Sequence, residues 1–288
     1  VDDLWVDRDC VEGVSSSLAS ANYSFVGENL YDFAGWAVSS AGDVDGDGLA
    51  DILVGAYFND KGVVDGGTAY LILGASLGSS SELDLSLADY SFVGEASDRA
   101  GYSLSSAGDV DGDGLDDILV GAYANDDGGS WAGKAYVILG SSLGSSSTID
   151  LSDADHSFIG EESGDYAGYS VSSAGDVDGD GLDDILVGAY LNDDGGDSAG
   201  KAYLILAASL GSSQELPLSD ADYSFVGEYT DDFAGVAVSS AGDVDGDGLD
   251  DILVGADRND DGGDSAGKAY LILAASLGSS QELPLSDA

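Results

Sequence analysis

A unit of about 67 residues is repeated four times in this chain, and no other feature restricts its fold as strongly. The segment AGDVDGDGL begins at Ala41, Ala107, Ala174 and Ala241, and the elements around it recur in the same order. A unit of this size with frequent glycine turns cannot cover its own apolar faces, so the copies must pack on one another. The chain therefore forms a closed ring or an open stack of similar units.

The sequence pattern of each copy predicts four short β-strands. In the first copy, DILVGA at 51–56 and AYLIL at 69–73 are continuous apolar runs, which suit strands buried on both faces. The segments SFVGE at 24–28 and AGWAVSS at 34–40 alternate more, as half-exposed strands do. Glycine-rich turns follow one another too closely for helices of normal length. The sequence predicts an all-β protein with about sixteen strands.

The size and number of the units favour a β-propeller. Propellers arrange about four to eight four-stranded blades around a central channel, whereas one solenoid coil is much shorter than this repeat. We predict an N-terminal extension at 1–19 and a four-bladed propeller at 20–288. The four copies are placed at 20–86, 87–152, 153–219 and 220–288.

The two ends of the sequence do not coincide with the repeat boundaries. Alignment of the copies places Leu4-Trp5-Val6 over Leu204-Ile205-Leu206, which predicts an extra strand in the N-terminal extension. The segment at 281–288 stops where the next SFVGE strand would begin. Either 24–28 completes the last blade within one chain, or the N-terminal strands complete the last blade of a neighbouring molecule. The second arrangement is self-assembly by strand exchange.

Acidic residues dominate the composition, with 56 Asp and Glu against 7 Lys and Arg and a net charge of −49. This charge excludes ordinary nucleic-acid binding, which requires basic residues at the phosphates, and argues against anionic membrane surfaces. No run of about 18 apolar residues predicts membrane insertion. With one cysteine (Cys10) and one histidine (His156), internal disulfides, zinc sites and most histidine-based triads are also excluded. Such acidity favours an extracellular, saline or calcium-rich setting.

The acidic loop at 43–51 has the spacing of a calcium site. Carboxylates at loop positions one, three, five and nine can converge on one point if the chain turns sharply, and Gly48 at position six permits that turn. The carbonyl of Leu49 at position seven adds another oxygen. Several charged oxygen ligands select Ca²⁺ over Mg²⁺, which keeps more waters in a stricter octahedron.

All four copies carry the complete ligand set, which predicts four calcium sites. The predicted ligands are Asp43, Asp45, Asp47, Leu49 and Asp51; Asp109, Asp111, Asp113, Leu115 and Asp117; Asp176, Asp178, Asp180, Leu182 and Asp184; and Asp243, Asp245, Asp247, Leu249 and Asp251. An EF-hand is excluded because position twelve is valine and the flanking segments are strands. The remaining alternative is a solvated acidic turn without metal.

With these motifs in view, the unit resembles the FG-GAP repeat of the integrin alpha-subunit propeller and of bacterial or archaeal surface proteins. That family has Phe-Gly, then Asp-x-Asn/Asp-Gly-Asp-Gly-x-x-Asp, then Gly-Ala-Pro. In the first copy these elements are Ala34-Gly35, the loop at 43–51, and Gly55-Ala56-Tyr57, so the Phe and the Pro are replaced. The resemblance covers about residues 20–288 and implies calcium-dependent folding, with seven blades in the integrin type against four copies here.

The resemblance and the symmetry together predict a secreted calcium-binding module rather than an enzyme. Its expected role is structural, as part of an assembly or extracellular fibre, or adhesive at the cell surface. The alternative is a lectin-like module that binds a protein or a glycan, and a glycan-active enzyme ranks below both. Four equivalent copies argue for one task performed four times, whereas an active site usually breaks such symmetry.

Two weaker patterns allow more than one interpretation. The Asn-Asp-rich loops, such as 125–128, could hold a second cation, but these residues also form ordinary turns, which we favour. Tyr57, Tyr123 and Tyr190 follow the Gly-Ala pair, where they could bind a sugar or protein partner or pack between neighbouring blades.

Overall fold

The computed structural model describes Leu18 and residues 21–78, 81–211, 214–278 and 280–287. These residues form β-strands joined by turns and three-residue 3-10 helices. The strands are β1 Ser24–Val26, β2 Val38–Gly42, β3 Asp51–Ala56, β4 Thr68–Ile72, β5 Glu82–Asp84, β6 Tyr90–Val93, β7 Ser103–Gly108, β8 Asp117–Ala122, β9 Lys134–Ile138, β10 Thr148–Asp150, β11 His156–Ile159, β12 Ser170–Gly175, β13 Asp184–Ala189, β14 Lys201–Ile205, β15 Glu215–Pro217, β16 Tyr223–Val226, β17 Ala234–Gly242, β18 Asp251–Ala256, β19 Lys268–Ile272 and β20 Glu282–Pro284.

The 3-10 helices lie in the connections between blades. They are Gly74–Ser76, Leu85–Leu87, Gly140–Ser142, Leu151–Asp153, Ala207–Ser209, Leu218–Asp220, Ala274–Ser276 and Leu285–Asp287. The described residues contain no helix that is long and apolar enough to cross a membrane.

Each complete blade combines three strands of one repeat with the SFVGE-type strand of the next. Blade 1 has the order β2-β3-β4-β6, blade 2 has β7-β8-β9-β11, and blade 3 has β12-β13-β14-β16, all with antiparallel pairing. Blade 4 consists of β17-β18-β19. β1 pairs with β5 in a separate sheet of two strands.

The connection between repeats contains a further strand that the sequence pattern did not indicate. β10, β15 and β20 each pair in parallel with the outer strand of the preceding blade, as Ile149 does with Phe92. These strands have three residues, of which only the middle one is partly buried. Three residues are too few for an alternating pattern to be visible, so the prediction of four strands per copy was one strand short.

The core lies between consecutive blades. Leu53 and Leu71 on one face of blade 1 share an apolar cluster with Val120 and Tyr136 of blade 2. Equivalent clusters join blade 2 to blade 3 and blade 3 to blade 4. The middle strands are therefore buried on both faces, as the continuous apolar runs predicted.

The two ends of the stack are more exposed than its interior. Leu253 and Leu271 of blade 4 are 37% and 39% exposed, whereas the equivalent Leu119 and Val137 of blade 2 are fully buried. Val38 of blade 1 is 69% exposed. No sheet or apolar cluster of the described residues joins the first blade to the last.

The all-β class and the four repeats are thus confirmed, and the sheets are consecutive blades of the propeller type. In the described part of the chain, the ring is not closed by sheet pairing. The predicted extra strand at Leu4-Trp5-Val6 lies outside the described residues, as does Cys10.

Candidate metal centres

Each acidic loop connects the first and second strands of a blade. In blade 1 the loop starts after β2 at Gly42 and ends at Asp51, the first residue of β3, and these two residues are register partners after a bulge. The same arrangement occurs in the other three blades. The loops therefore lie at one end of the blades, one loop per blade.

Three of the predicted carboxylates come together in every loop. Ligand oxygens of positions one, three and nine all lie within 4.8 Å of one another. The groups are Asp43, Asp45 and Asp51; Asp109, Asp111 and Asp117; Asp176, Asp178 and Asp184; and Asp243, Asp245 and Asp251. These are hard oxygen donors at the spacing that a divalent cation requires.

The carboxylate at position five lies outside these groups. In the first loop, Asp47 Oδ1 accepts a hydrogen bond from the backbone N–H of Leu49 at 2.8 Å. The same bond occurs in the other loops, where Asp113, Asp180 and Asp247 accept from Leu115, Leu182 and Leu249. The backbone N–H at position seven thus donates to the carboxylate at position five in every loop. The ligand roles predicted for these two positions stay predictions.

The carboxylate at position one shapes the turn. Asp43 accepts hydrogen bonds from the backbone N–H groups of Asp47 and Gly48 at 3.0 and 2.9 Å. Gly48 has a φ of +89°, in the left-handed region that L-residues rarely adopt, so glycine is required there. The sharp turn expected at position six is present in all four loops.

The carboxylate at position nine is buried and fixes the loop to the blade. Asp117 accepts hydrogen bonds from the backbone N–H groups of Val110 and Gly140 at 2.9 Å each. Burial raises the pKa of Asp117 to about 7, and the neighbouring charges of Asp111 and Asp109 act in the same direction. Burial likewise raises the pKa of Asp184 to about 7.

No basic side chain neutralises these clusters in the described part of the chain. The ion pairs there join Lys61, Lys134, Lys201 and Lys268 to carboxylates outside the loops. Lys201, for example, contacts Glu161 at 2.9 Å and Asp194 at 2.6 Å. Crowded carboxylates without a basic partner fit a bound cation, because like charges at this distance otherwise disfavour ionisation.

The Asn-Asp-rich loops use their polar side chains for turns. Asn125 Oδ1 accepts from the backbone N–H of Asp127, and Asp126 Oδ1 accepts from that of Trp131. Among the described residues, no group of three acidic side chains in these loops lies close enough to share an ion. The turn interpretation therefore fits the geometry.

A buried aspartate that the sequence analysis missed supports three of these loops. Asp32 Oδ2 accepts from Asn59 Nδ2 at 2.7 Å, and both residues are buried. Asp165 and Asp232 make the same contact with Asn192 and Asn259. The available signal was the recurrence of an Asp four residues after Glu28, Glu161 and Glu228.

Aromatic side chains form a continuous band at the opposite end of the blades. Tyr57 directly follows β3, six residues from the end of the acidic loop at Asp51, and its ring contacts Trp36 and Tyr102 with centroids 5.1 and 5.4 Å apart. The contacts continue from Tyr102 to Tyr169 and on towards blade 4. The full band comprises Phe33, Trp36, Tyr57, Phe58, Tyr102, Tyr123, Trp131, Tyr166, Tyr169, Tyr190 and Phe233.

This aromatic band packs between blades and also reaches solvent. Tyr57 of blade 1 touches Tyr102, which leads into blade 2, so the predicted packing role is present. Phe33, Trp36 and Trp131 are 51%, 54% and 42% exposed. Large exposed aromatic side chains are typical of contact surfaces.

The FG-GAP repeat family matches the chain at residues 34–72, 100–138, 167–205 and 234–272, which together are more than half of it. The chain belongs to the FG-GAP repeat family. Each match begins at the Ala-Gly pair and ends with the third strand of a blade, so it contains one complete acidic loop.

Similar proteins include integrin alpha subunits. The chain is 30% identical over 231 residues to integrin alpha-5 of Xenopus laevis, covering 78% of this chain and 20% of that protein. It is 30% identical over 242 residues to integrin alpha pat-2 of Caenorhabditis briggsae, covering 78% and 18%. It is 31% identical over 177 residues to integrin alpha-PS2 of Drosophila melanogaster, covering 59% and 12%. The chain spans a fifth or less of the length of these relatives.

Proposed function

We propose that this chain is a calcium-dependent adhesion module that acts outside the cell. In this proposal, one Ca²⁺ ion per acidic loop holds the blades in their active arrangement, and the aromatic band contacts a partner. The observation that carries the proposal is the fourfold recurrence of three carboxylates within 4.8 Å of one another, with no ion pair to a basic side chain among the described residues. A cation is the simplest neutralising group for such a cluster.

Calcium is the favoured ion because of the number and charge of the available oxygens. Each loop offers three clustered carboxylates, the adjacent carboxylate at position five and the carbonyl at position seven. Ca²⁺ accepts about six to eight oxygens in flexible geometry, whereas Mg²⁺ requires a strict octahedron. The net charge of −49 also favours a setting rich in cations, such as the cell exterior or a saline medium.

The aromatic band is proposed as the contact face for a protein or a glycan. It combines exposed rings with two arginines, since Arg99 lies 4.8 Å from the Phe58 ring centroid and Arg258 lies 4.2 Å from that of Phe233. Aromatic and arginine side chains are enriched where binding energy is concentrated in protein interfaces. The integrin alpha subunits among the similar proteins support an adhesive role, without naming a partner for this chain.

Catalysis is not part of the proposal. The carboxylate clusters are equivalent in all four blades, which favours a repeated structural task over one reaction centre. The buried aspartates outside the loops are bonded to asparagine side chains, which suits support of a turn.

A direct test is calcium titration by calorimetry together with a binding screen. We expect four calcium ions per chain, and retention of the protein on extracellular-matrix proteins or glycans that is lost when calcium is chelated. A stoichiometry of zero would contradict the proposal. Turnover of a glycan that is abolished by one aspartate substitution would replace it with an enzymatic function.

A second candidate role is self-assembly by blade completion. In blade 3, the SFVGE-type strand β16 pairs with β14, and Ala202 lies opposite Phe225. The corresponding edge of β19 carries no strand in the described part of the chain, while β1 pairs only with β5. We propose that β1 of one copy pairs with β19 of another, placing Phe25 opposite Ala269.

This pairing is tested by sizing the protein in calcium. Assembly that increases with concentration is expected, and Ala269→Pro should prevent it because proline removes a strand hydrogen bond. The matched control is Ala202→Pro within complete blade 3, which should reduce stability instead. A chain that stays monomeric at high concentration would contradict strand exchange.

A further inference from the structure

Position eight of the acidic loop connects neighbouring loops. Loops two to four carry Asp116, Asp183 and Asp250 there, whereas the first loop carries Ala50. In each case the carboxylate reaches the preceding loop and accepts a hydrogen bond from the backbone N–H of its first ligand. Asp116 accepts from Asp43 at 2.7 Å, Asp183 from Asp109 at 2.9 Å, and Asp250 from Asp176 at 3.0 Å.

The contact is reciprocal. The backbone N–H of Asp116 donates to the carbonyl oxygen of Asp43 at 3.2 Å, and the other two pairs repeat this bond at 3.1 and 3.0 Å. Both backbone groups of Asp43 are therefore bonded to one residue of the next loop. The position of its ligating carboxylate depends on that neighbour. We call Asp116, Asp183 and Asp250 the clamp aspartates.

The glycine before each first ligand makes room for the clamp. A Cβ atom at Gly42 would lie 2.2 Å from Asp116 Oδ2, and one at Gly108 would lie 2.1 Å from Asp183 Oδ2. At Gly242, in the last loop, a Cβ atom would have no neighbour within 4 Å. The steric requirement for glycine is thus present where a clamp arrives and absent where none does.

Each clamp aspartate is also joined to a ligand of its own loop. Asp116 directly precedes Asp117, whose buried carboxylate belongs to the second cluster. One peptide bond therefore separates a residue that orients the first site from a ligand of the second site. Leu115 adds an apolar contact, since a Cβ atom at Gly46 would lie 2.9 Å from its Cδ2.

We propose that the clamp aspartates couple neighbouring cation sites, so that Ca²⁺ in one loop raises the affinity of the next. The coupling rests on the calcium binding proposed above. An ion in site two that fixes Asp117 also fixes Asp116 and thereby the backbone of Asp43 in site one. By linkage, an ion in site one raises the affinity of site two by the same factor. The clamp aspartates act as positioning residues. Sites separated by an empty loop should bind independently.

Two-site proteins test this coupling without changing the clamp. Asp178→Ala with Asp245→Ala leaves the neighbouring sites one and two, and Asp111→Ala with Asp245→Ala leaves the separated sites one and three. Calcium titration by calorimetry should show that the second ion binds the neighbouring pair at least about fivefold more tightly than the first, with independent binding in the separated pair.

Substitution of the clamp in the neighbouring pair gives the decisive comparison. Asp116→Ala should abolish the fivefold difference, and Asp116→Asn, which keeps one acceptor oxygen, should retain part of it. Ala50→Asp is the matched control, because no described loop precedes the first one, and it should leave the coupling unchanged.

The outcomes separate this proposal from the one on which it rests. No calcium binding by the unsubstituted chain would contradict the proposed function. If both two-site proteins bind calcium normally but the second ion binds no more tightly than the first in either, the coupling is wrong while the proposed function stands. This comparison does not require Asp116→Ala to fold. Coupling that survives Asp116→Ala would also overturn it and would assign the effect to packing between the blades.

Discussion

The two ends of each blade differ in how strictly they repeat. At the loop end, AGDVDGDGL is identical in all four copies, and the same three carboxylates converge each time. At the aromatic end, the residue after the Ala-Gly pair is Trp36, Tyr102, Tyr169 or Val236. A constant end performs one task four times, whereas a variable end can present different contacts around the stack. Under the proposed function, stability depends on the loop end and partner choice on the aromatic end.

The two ends also depend on different forces. The loop end concentrates negative charge, and the pKa values of Asp117 and Asp184 are raised to about 7 because burial disfavours their ionised form. The aromatic end is held by ring contacts with centroids 4.3–5.8 Å apart. Ions should therefore act directly on the first end, and on the second end only through the arrangement of the blades.

Removal of calcium should have the largest effect on stability and should act through the loop end. Metal bound only to the folded state adds about 2.7 kcal/mol per site at a hundredfold excess over Kd. We expect the melting temperature to fall steeply in chelator and to recover with added Ca²⁺, as followed by circular dichroism. A melting temperature that is unchanged by chelation would show that the loops are ordinary acidic turns.

Loss of one loop ligand should have a smaller effect, and its sign should depend on calcium. Asp178→Ala removes a ligand of the third site, so in calcium the protein should melt several degrees lower. In chelator the same change removes one of three crowded charges, and the melting temperature should stay equal or rise slightly. Asp197→Ala, which removes an exposed charge outside the clusters, is the control and should change neither value.

The pH dependence of the metal-free protein should be opposite to that of an ordinary acidic protein. The raised pKa of Asp117 and Asp184, about 7 in the fold against an ordinary 3.8, means that their protonated form favours folding. This contribution is complete below the unfolded value and is lost as the pH rises through about 7. In chelator we expect higher melting at pH 5 than at pH 8. The gain from calcium should be larger at pH 8, because only the ionised carboxylates bind it.

The sequence predicted the loop end better than the aromatic end because ligand spacing is local. Positions one, three and nine lie in one nine-residue loop, and the glycines at positions four and six permit its sharp turns, so the convergence follows from the local sequence. The clamp of Asp116 on Asp43 spans 73 residues, and nothing in the repeat pattern marks position eight as a contact. Repetition alone could not distinguish a residue that serves its own loop from one that serves the neighbouring loop.

Strand pairing across repeats was hidden for a similar reason. The segment that opens each copy in the sequence completes the preceding blade in the structure, so Ala69 pairs with Phe92 and not with Phe25. Hydrophobic periodicity identifies a strand but does not identify its partner. The aromatic band also became visible only when the blades were placed side by side, since its rings come from four separate copies.

The smallest expected change in stability concerns the aromatic end, where the effect on binding should be large. Trp36 is 54% exposed and touches Tyr57 and Tyr102, so Trp36→Ala should leave the calcium-loaded protein within about 1 kcal/mol of its original stability. Affinity for the partner found in the screen should fall at least about tenfold, because truncation of a central aromatic contact costs about 2 kcal/mol or more. Leu87→Ala is the control, since Leu87 is 74% exposed and lies in a 3-10 helix outside the band. Equal binding by both variants would show that the contact face does not lie at the aromatic end. A large loss of stability in Trp36→Ala would show that this end, too, serves mainly to hold the blades together.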